Sequence, residues 1–251
     1  FTALAGGDLA EPGRVRWSLD GRMIARERGE RGLDAIVLAT GERLPITDDA
    51  LLSFAIDPAG AQIVTGHDDG RILARSITGG AMRELLRLDA PVRRLDFDPE
   101  GGLVALPARG QGVYLERLDA PPRRFGEASH ELTWCARGPG GRIAFGAASG
   151  HLGLDSLREG DPPLVFSGHR GAVNDGAFSA DGALLASAAD DGTVRIWRTD
   201  RAGEGTVLRA GEIQRLAFTP DARHLVTSGA EVKIWTVHTD DLAARACRYV
   251  V

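Results

Sequence analysis

Ser167-Gly-His-Arg-Gly-Ala-Val-Asn-Asp-Gly-Ala-Phe-Ser-Ala-Asp-Gly-Ala-Leu-Leu-Ala-Ser-Ala-Ala-Asp-Asp-Gly-Thr-Val-Arg-Ile-Trp197 is the stretch whose reading decides the fold. At its centre, Ser179-Ala-Asp-Gly182 separates an apolar run ending at Phe178 from one that begins Leu184-Leu-Ala. Asp, Pro and Gly pre-set or tolerate the dihedrals of a sharp reversal, so this tetrapeptide reads as a turn between short strands. The same punctuation recurs at Ser18–Gly21, Asp57–Gly60, Asp98–Gly101, Gly138–Gly141 and Thr219–Ala222. Successive fourth positions lie 39, 41, 40, 41 and 40 residues apart. A spacing held that closely over six turns marks one structural unit used repeatedly.

The flanks keep the same beat. Leu51, Val92, Leu132, Val173 and Ile213 each stand five residues before the position held by Ile56, Phe97, Arg137, Phe178 and Phe218; Trp17 is the first unit's counterpart. A second strand follows each turn. A third is expected at Ala35–Leu38, Arg71–Ala74, Val113–Leu115, Leu152–Leu154, Val194–Trp197 and Val232–Trp235, and a weaker fourth in most units, as at 84–88 and 206–208. Strands this short with no helical periodicity between them predict an all-β ring or sandwich. One such unit cannot bury both its faces, whereas radial neighbours can. A sandwich needs no constant period. The expectation is an all-β propeller of six four-stranded blades, or seven if flanking sequence is missing.

The 167–197 stretch resembles a WD40 repeat, with Gly168-His169 opening it and Ile196-Trp197 near its end. The resemblance implies a WD40 β-propeller in which His169, Ser187, Asp191 and Trp197 form a hydrogen-bonded structural tetrad. A buried imidazole between a carboxylate and a hydroxyl, with the indole N–H satisfied, would tie a loop to two strands. Ser, His and Asp could suggest a hydrolase triad, but the spacing is that of the tetrad and no Gly-x-Ser-x-Gly accompanies it. Elsewhere the pattern is eroded. The second unit keeps Thr65 and Asp69 but has Arg75 in place of Trp and no opening His. The fourth has Ser149 and Asp155 at the Asp and Trp positions, and the sixth keeps Thr227 and Trp235. His169→Ala is accordingly expected to cost more stability than His67→Ala.

The ends carry their own readings. Residues 1–238 are expected to be the propeller, with the strand at 1–6 closing the last blade, which lacks an obvious fourth strand. Residues 239–251 are expected to be a short C-terminal helix and tail, capped by Thr239 or Asp240, with Leu242, Ala246 and Val250 on one stripe. That ending is also similar to the helix after the C-terminal WD repeats of bacterial STAND-type NTPases and related multidomain signalling proteins. The resemblance implies effector or NTPase domains upstream in the same polypeptide.

Composition excludes several classes. The 251 residues are 43% hydrophobic, and the longest apolar runs, such as Ala35–Ala39, fall far short of the roughly 20 residues of a membrane helix. A net charge of −5 counts against nucleic acid and anionic membranes as partners. Cys135 and Cys247 give no disulfide framework and fit a reducing, cytoplasmic setting. The six histidines form no HExxH or His-x-His cluster, and no Walker loop, GxGxxG or EF-hand spacing is present, so neither metal nor cofactor is expected.

The leading reading is a non-catalytic scaffold that presents loops on one rim to a protein or peptide, because a rigid frame lets loops vary without unfolding it. The candidate rim residues are His67, Asp68, Arg109, Arg170, Asn174 and Asp190. An alternative is a propeller hydrolase using Arg94, Asp96, Asp175 and Arg215 on the innermost strands. Another is a nucleic-acid binder using Arg14, Arg16, Arg93, Arg94, Arg123 and Arg124.

Overall fold

In the computed structural model, the structure describes residues 14–18, 20–27, 32–157 and 161–237, together with the backbone of 249–250. These form six four-stranded antiparallel sheets in two compact units: 1–108 with 112–124, and 109–111 with 125–251. Among the described residues there is no helix, and so none long and apolar enough to cross a membrane.

The first unit holds three sheets. Sheet 1 is β1 (Val15–Trp17), β2 (Met23–Glu27), β3 (Leu33–Val37) and β4 (Arg43–Thr47). Sheet 2 is β5 (Ser53–Ile56), β6 (Gln62–Gly66), β7 (Arg71–Ser76) and β8 (Arg83–Arg87). Sheet 3 is β9 (Val92–Phe97), β10 (Leu103–Pro107), β11 (Gly112–Leu115) and β12 (Arg123–Phe125). The second unit repeats the plan. Sheet 4 is β13 (Leu132–Gly138), β14 (Arg142–Ala147), β15 (Leu152–Ser156) and β16 (Leu164–Phe166). Sheet 5 is β17 (Val173–Phe178), β18 (Leu184–Ala189), β19 (Thr193–Arg198) and β20 (Thr206–Arg209). Sheet 6 is β21 (Ile213–Phe218), β22 (His224–Gly229), β23 (Val232–Thr236) and β24 (Tyr249–Val250).

In every unit but the fourth, whose turn is Gly138-Pro-Gly-Gly141, the recurring turn between first and second strands is built by its own side chains. Ser179 Oγ donates to Asp181 Oδ1 at 2.6 Å and accepts from Leu184 N at 2.9 Å, while Ala183 N donates to Asp181 Oδ1 at 3.0 Å. Ser18–Asp20 and Thr219–Asp221 repeat this arrangement. In the Asp-first turns, Asp57 and Asp98 each accept two backbone N–H groups on one oxygen. The fourth turn position is left-handed, at φ +67° in Gly60 and +70° in Gly182; the sixth turn places Ala222 there at +56°.

Each core lies between consecutive sheets of a unit. The Met23, Ala25, Leu33 and Ala35 side of sheet 1 takes Phe54, Ile56 and Ile63 of sheet 2. Ala55, Val64, Ile72 and Ala74 of sheet 2 take Leu95, Leu103 and Val113 of sheet 3. Trp134, Ala144, Leu152 and Leu154 of sheet 4 take Val173, Leu185 and Trp197 of sheet 5, whose Ala186, Val194 and Ile196 take Leu216, Leu225 and Trp235 of sheet 6. This is the mutual covering that single units of a repeat cannot achieve alone.

The chain ends need one correction. The expected closing strand at 1–6 lies outside the described residues, as does 239–248 of the expected helix. Tyr249 and Val250, the end of that expected tail, form the fourth strand of sheet 6, pairing with Trp235 and Ile234. The outer edge of β23 offers backbone donors and acceptors to any strand that reaches it, and a Tyr-Val pair has the β propensity to fill it.

Candidate functional site

Sheet 5 holds a side-chain hydrogen-bond network that joins its opening loop to two of its strands. Trp197 Nε1–H on β19 donates to Ser187 Oγ on β18 at 2.8 Å. Ser187 Oγ lies 2.7 Å from His169 Nε2, in the loop that opens the unit, and His169 Nδ1 lies 3.2 Å from Asp191 Oδ2. Asp191 also accepts from Arg170 N at 2.9 Å, Thr193 N at 3.0 Å and Thr193 Oγ1 at 2.6 Å. One assignment of protons satisfies the whole chain: indole to hydroxyl, hydroxyl to imidazole Nε2, imidazole Nδ1–H to carboxylate. The loop carrying His169 is thereby fixed to both strands.

Electrostatics agree with that proton order. Burial lowers the His169 pKa, against the opposing pull of Asp191, and leaves the ring below the ordinary histidine value of 6.5 and neutral at pH 7. Burial pushes the Asp191 carboxyl up, but the Thr193 hydroxyl, the Arg170 and Thr193 backbone N–H groups and His169 outweigh it and hold the pKa at about 2. Both groups therefore favour the unfolded state as pH falls. Below 6.5 the unfolded imidazole takes a proton that the folded one resists, and stability drops. Between 3.8 and about 2 the unfolded carboxylate protonates first, removing about 2 kcal/mol more. Urea unfolding at pH 4 and pH 2 checks the second step, and Asp191→Asn should shrink the difference by about that amount.

The other sheets show what replaces the network where it is eroded. In sheet 6, Trp235 Nε1 still donates to Thr227 Oγ1 at 3.0 Å. In sheet 4, Asp155 stands in the Trp position and accepts from Gly126 N at 2.8 Å. In sheet 2, Arg75 reaches the carbonyls of Pro45 and Ile46 at 3.0 and 2.6 Å. His67, expected on an exposed rim, is buried at 2% exposure, with Nε2 2.9 Å from Thr65 Oγ1 and Nδ1 3.0 Å from the Ala50 carbonyl oxygen. That is a correction. The second unit lacks an opening histidine, and an imidazole from the end of β6 takes over the threonine instead. Asp69 turns to Arg71. The two histidines are therefore expected to matter alike. His67→Ala and His169→Ala should each cost about 1–3 kcal/mol, because each strands buried polar groups. Chemical denaturation of both variants measures it; a near-neutral His67→Ala would contradict the assignment.

The remaining rim candidates are exposed: Asp68, Arg109, Arg170, Asn174 and Asp190. Three of them come together at one end of sheet 5. The Arg170 backbone is held by Asp191, and Asn174 Nδ2 donates to Asp190 Oδ1 across the paired ends of β17 and β18.

Of the innermost-strand residues, Asp175 is the one held in a buried structural contact. Asp175 is buried, and its Oδ2 accepts from Leu216 N on the neighbouring sheet at 2.7 Å. Arg94 and Asp96 pair at 3.6 Å, and Arg215 Nη1 donates to the Gln214 carbonyl at 3.0 Å. Of the arginines considered for nucleic acid, Arg14 is bound to Glu27. Among the described residues, no group of three or more His, Cys, Asp or Glu side chains could hold a metal ion.

Repeated sheets, the covering rule between them and the network of sheet 5 define a WD40 β-propeller. Residues 160–198 match the family described as WD domain, G-beta repeat. The chain is similar to apoptotic protease-activating factor 1, at 34% identity over 90 residues in Homo sapiens and 35% over 91 in Rattus norvegicus; each alignment covers 32% of this chain and 7% of the relative. It is also similar to the WD repeat-containing protein WDS homolog of Arabidopsis thaliana, at 25% identity over 202 residues, covering 77% of this chain and 35% of that protein. The chain thus spans only a small part of the longer relatives it matches. Among solved structures, a chain in the crystal structure of the mitotic checkpoint complex has the same fold, with a TM-score of 0.72 at 17% identity, over 90% of this chain and 73% of that one.

Proposed function

We propose that this chain is a non-catalytic scaffold that binds a protein or peptide through the end of sheet 5 where Arg170, Asn174 and Asp190 project. The observation that carries this reading is a mixed-charge exposed cluster whose backbone is locked from below by the network around Asp191. A preorganised patch loses little conformational freedom on binding, which favours reversible recognition. The engagement of Asp175 in a buried contact with the next sheet supports recognition over hydrolysis at that position.

The scaffold reading extends to a sensor module of a larger bacterial signalling protein, working in the cytoplasm, with effector or NTPase domains upstream in the same polypeptide. The alignment with a small part of a much longer protein, named as an activator of a protease, supports a modular role. Charge reversal of the pair, Arg170→Glu with Asp190→Arg, tests the site. Partner recovery from the native host should fall about tenfold, a loss of about 1.4 kcal/mol, while the melting temperature stays nearly constant. Unchanged recovery would move the binding surface elsewhere.

A further inference from the structure

Sheet 4 has lost the network of sheet 5, and strand register shows what stands in its place. Phe145 occupies the position of Ser187, and Asp155 that of Trp197. Neither the hydroxyl nor the indole donor is left to hold an opening histidine. Two imidazoles take over at the same end of the sheet. His130 closes the Glu127–His130 turn of the opening loop, and His151 closes the turn between β14 and β15. Their ring centroids are 4.2 Å apart at an interplanar angle of 31°, and the Phe145 and Phe125 rings continue the column. Sheet 5 carries Gly171 and Thr193 at the corresponding places. Beside the stack, Ala148 N–H donates to the Glu131 carbonyl at 2.9 Å; its counterpart in sheet 5 is Asp190 N–H to the Ala172 carbonyl at 3.0 Å.

We propose that the His130–His151 stack is an acid-sensitive latch on the loop that opens sheet 4: with at most one proton on the pair the rings hold residues 126–131 against the 147–151 turn, and a second proton releases them. The first proton is tolerated. Among the described residues His130 Nδ1 has no hydrogen-bond partner, and it lies 3.9 Å from Glu127 Oε2. An imidazolium there meets a carboxylate while its face rests on an aromatic ring. A proton on His151 is opposed. Burial, and then the facing His130, lower its pKa against the weaker pulls of Glu127 on the opening loop and Asp155 on β15. Asp155 is already engaged by Gly126 N at 2.8 Å, and Gln111, which donates to the Gly126 carbonyl at 2.8 Å from the turn at 109–111, is neutral. Two like charges stacked at this separation repel more strongly the less water reaches them. The latch also bears on sheet 5. Gly150 is seated so closely on the next opening loop that an added Cβ would lie 2.7 Å from the His169 carbonyl oxygen and 3.1 Å from that of Gly171. Release of the 147–151 turn therefore removes a support from the backbone on either side of Arg170. The proposal does not depend on what the rim binds.

Amide exchange, corrected for the intrinsic effect of pH on exchange, reads the latch at one bond. Protection of the Ala148 amide should fall at least about tenfold from about pH 7.5 to about pH 5, while that of its counterpart Asp190 falls less. In His151→Phe, which keeps a ring to stack and cannot take a proton, the Ala148 loss should shrink to that of Asp190. Ala148 protection that is the same at both pH values overturns the proposal. So does a loss that persists in full in His151→Phe, and so does one shared equally by Asp190, which would mark a general loosening through His169. A second measurement needs no variant. In an NMR titration of the 251-residue chain, His130 and His151 should take their protons in two separated steps, with the Ala148 change accompanying the one at lower pH. Independent titration of the two rings in a single step would overturn the latch whether or not His151→Phe folds.

Discussion

Replacing Trp197 with alanine is expected to destabilise the chain by about 3–5 kcal/mol, the range for emptying a large aromatic site. The indole is 2% exposed, lies 5.3 Å from the Phe166 ring by centroids, and belongs to the core that joins sheets 4 and 5. It has a second role, as donor to Ser187. Trp197→Phe separates the two: the ring volume largely remains, the N–H is lost, and the expected cost falls to about 1–3 kcal/mol. Urea unfolding of both variants gives the comparison. A phenylalanine variant as stable as wild type would mean that the indole bond contributes nothing and that packing alone holds the site.

Gly70→Ala should be nearly as damaging, for a different reason. Gly70 sits at φ +82°, and a Cβ there would lie 2.0 Å from the Leu88 carbonyl oxygen, against backbone that also hydrogen-bonds to Gly70. Left-handed strain costs about 1–2 kcal/mol, and the forced backbone shift adds about 1–3 more. Gly101 is the control. Its φ is +93° with nothing within 4 Å of an added Cβ, so Gly101→Ala should show the strain alone. Equal effects at the two positions would mean that Leu88 moves aside freely.

The two glycines also show what sequence could and could not supply. The first turn was legible in most units because Ser or Thr, Asp and Gly build it locally, from side chains within five residues, and in the fourth because Gly138-Pro-Gly-Gly141 is turn chemistry by itself. The second turn carries a quieter signal in Gly70, Gly110, Gly150 and Gly192, all at positive φ, whose regular spacing could have been found in the same way. In sheet 5, the four side chains that the WD40 resemblance marks meet in one hydrogen-bonded chain because every member is retained. His67 was harder to read. The imidazole reaches its threonine from a strand end, not an opening loop, and no local pattern announces that exchange. Asp175 is similar: an acid on an inner strand reads as available chemistry until the N–H of Leu216, 41 residues away, is seen to occupy it. At the C-terminus, a local amphipathic stripe including Val250 competed with edge pairing to β23, a contact that depends on where distant strands lie.

Hydrogen exchange of the chain with and without its captured partner tests the scaffold reading most directly. The scaffold account predicts added protection at 168–175 and 189–193, the end of sheet 5 that carries Arg170, Asn174 and Asp190, with the turns at 179–183 and 199–205 unchanged. Protection confined to those turns, or to the innermost strands around Asp96 and Asp175, would contradict it.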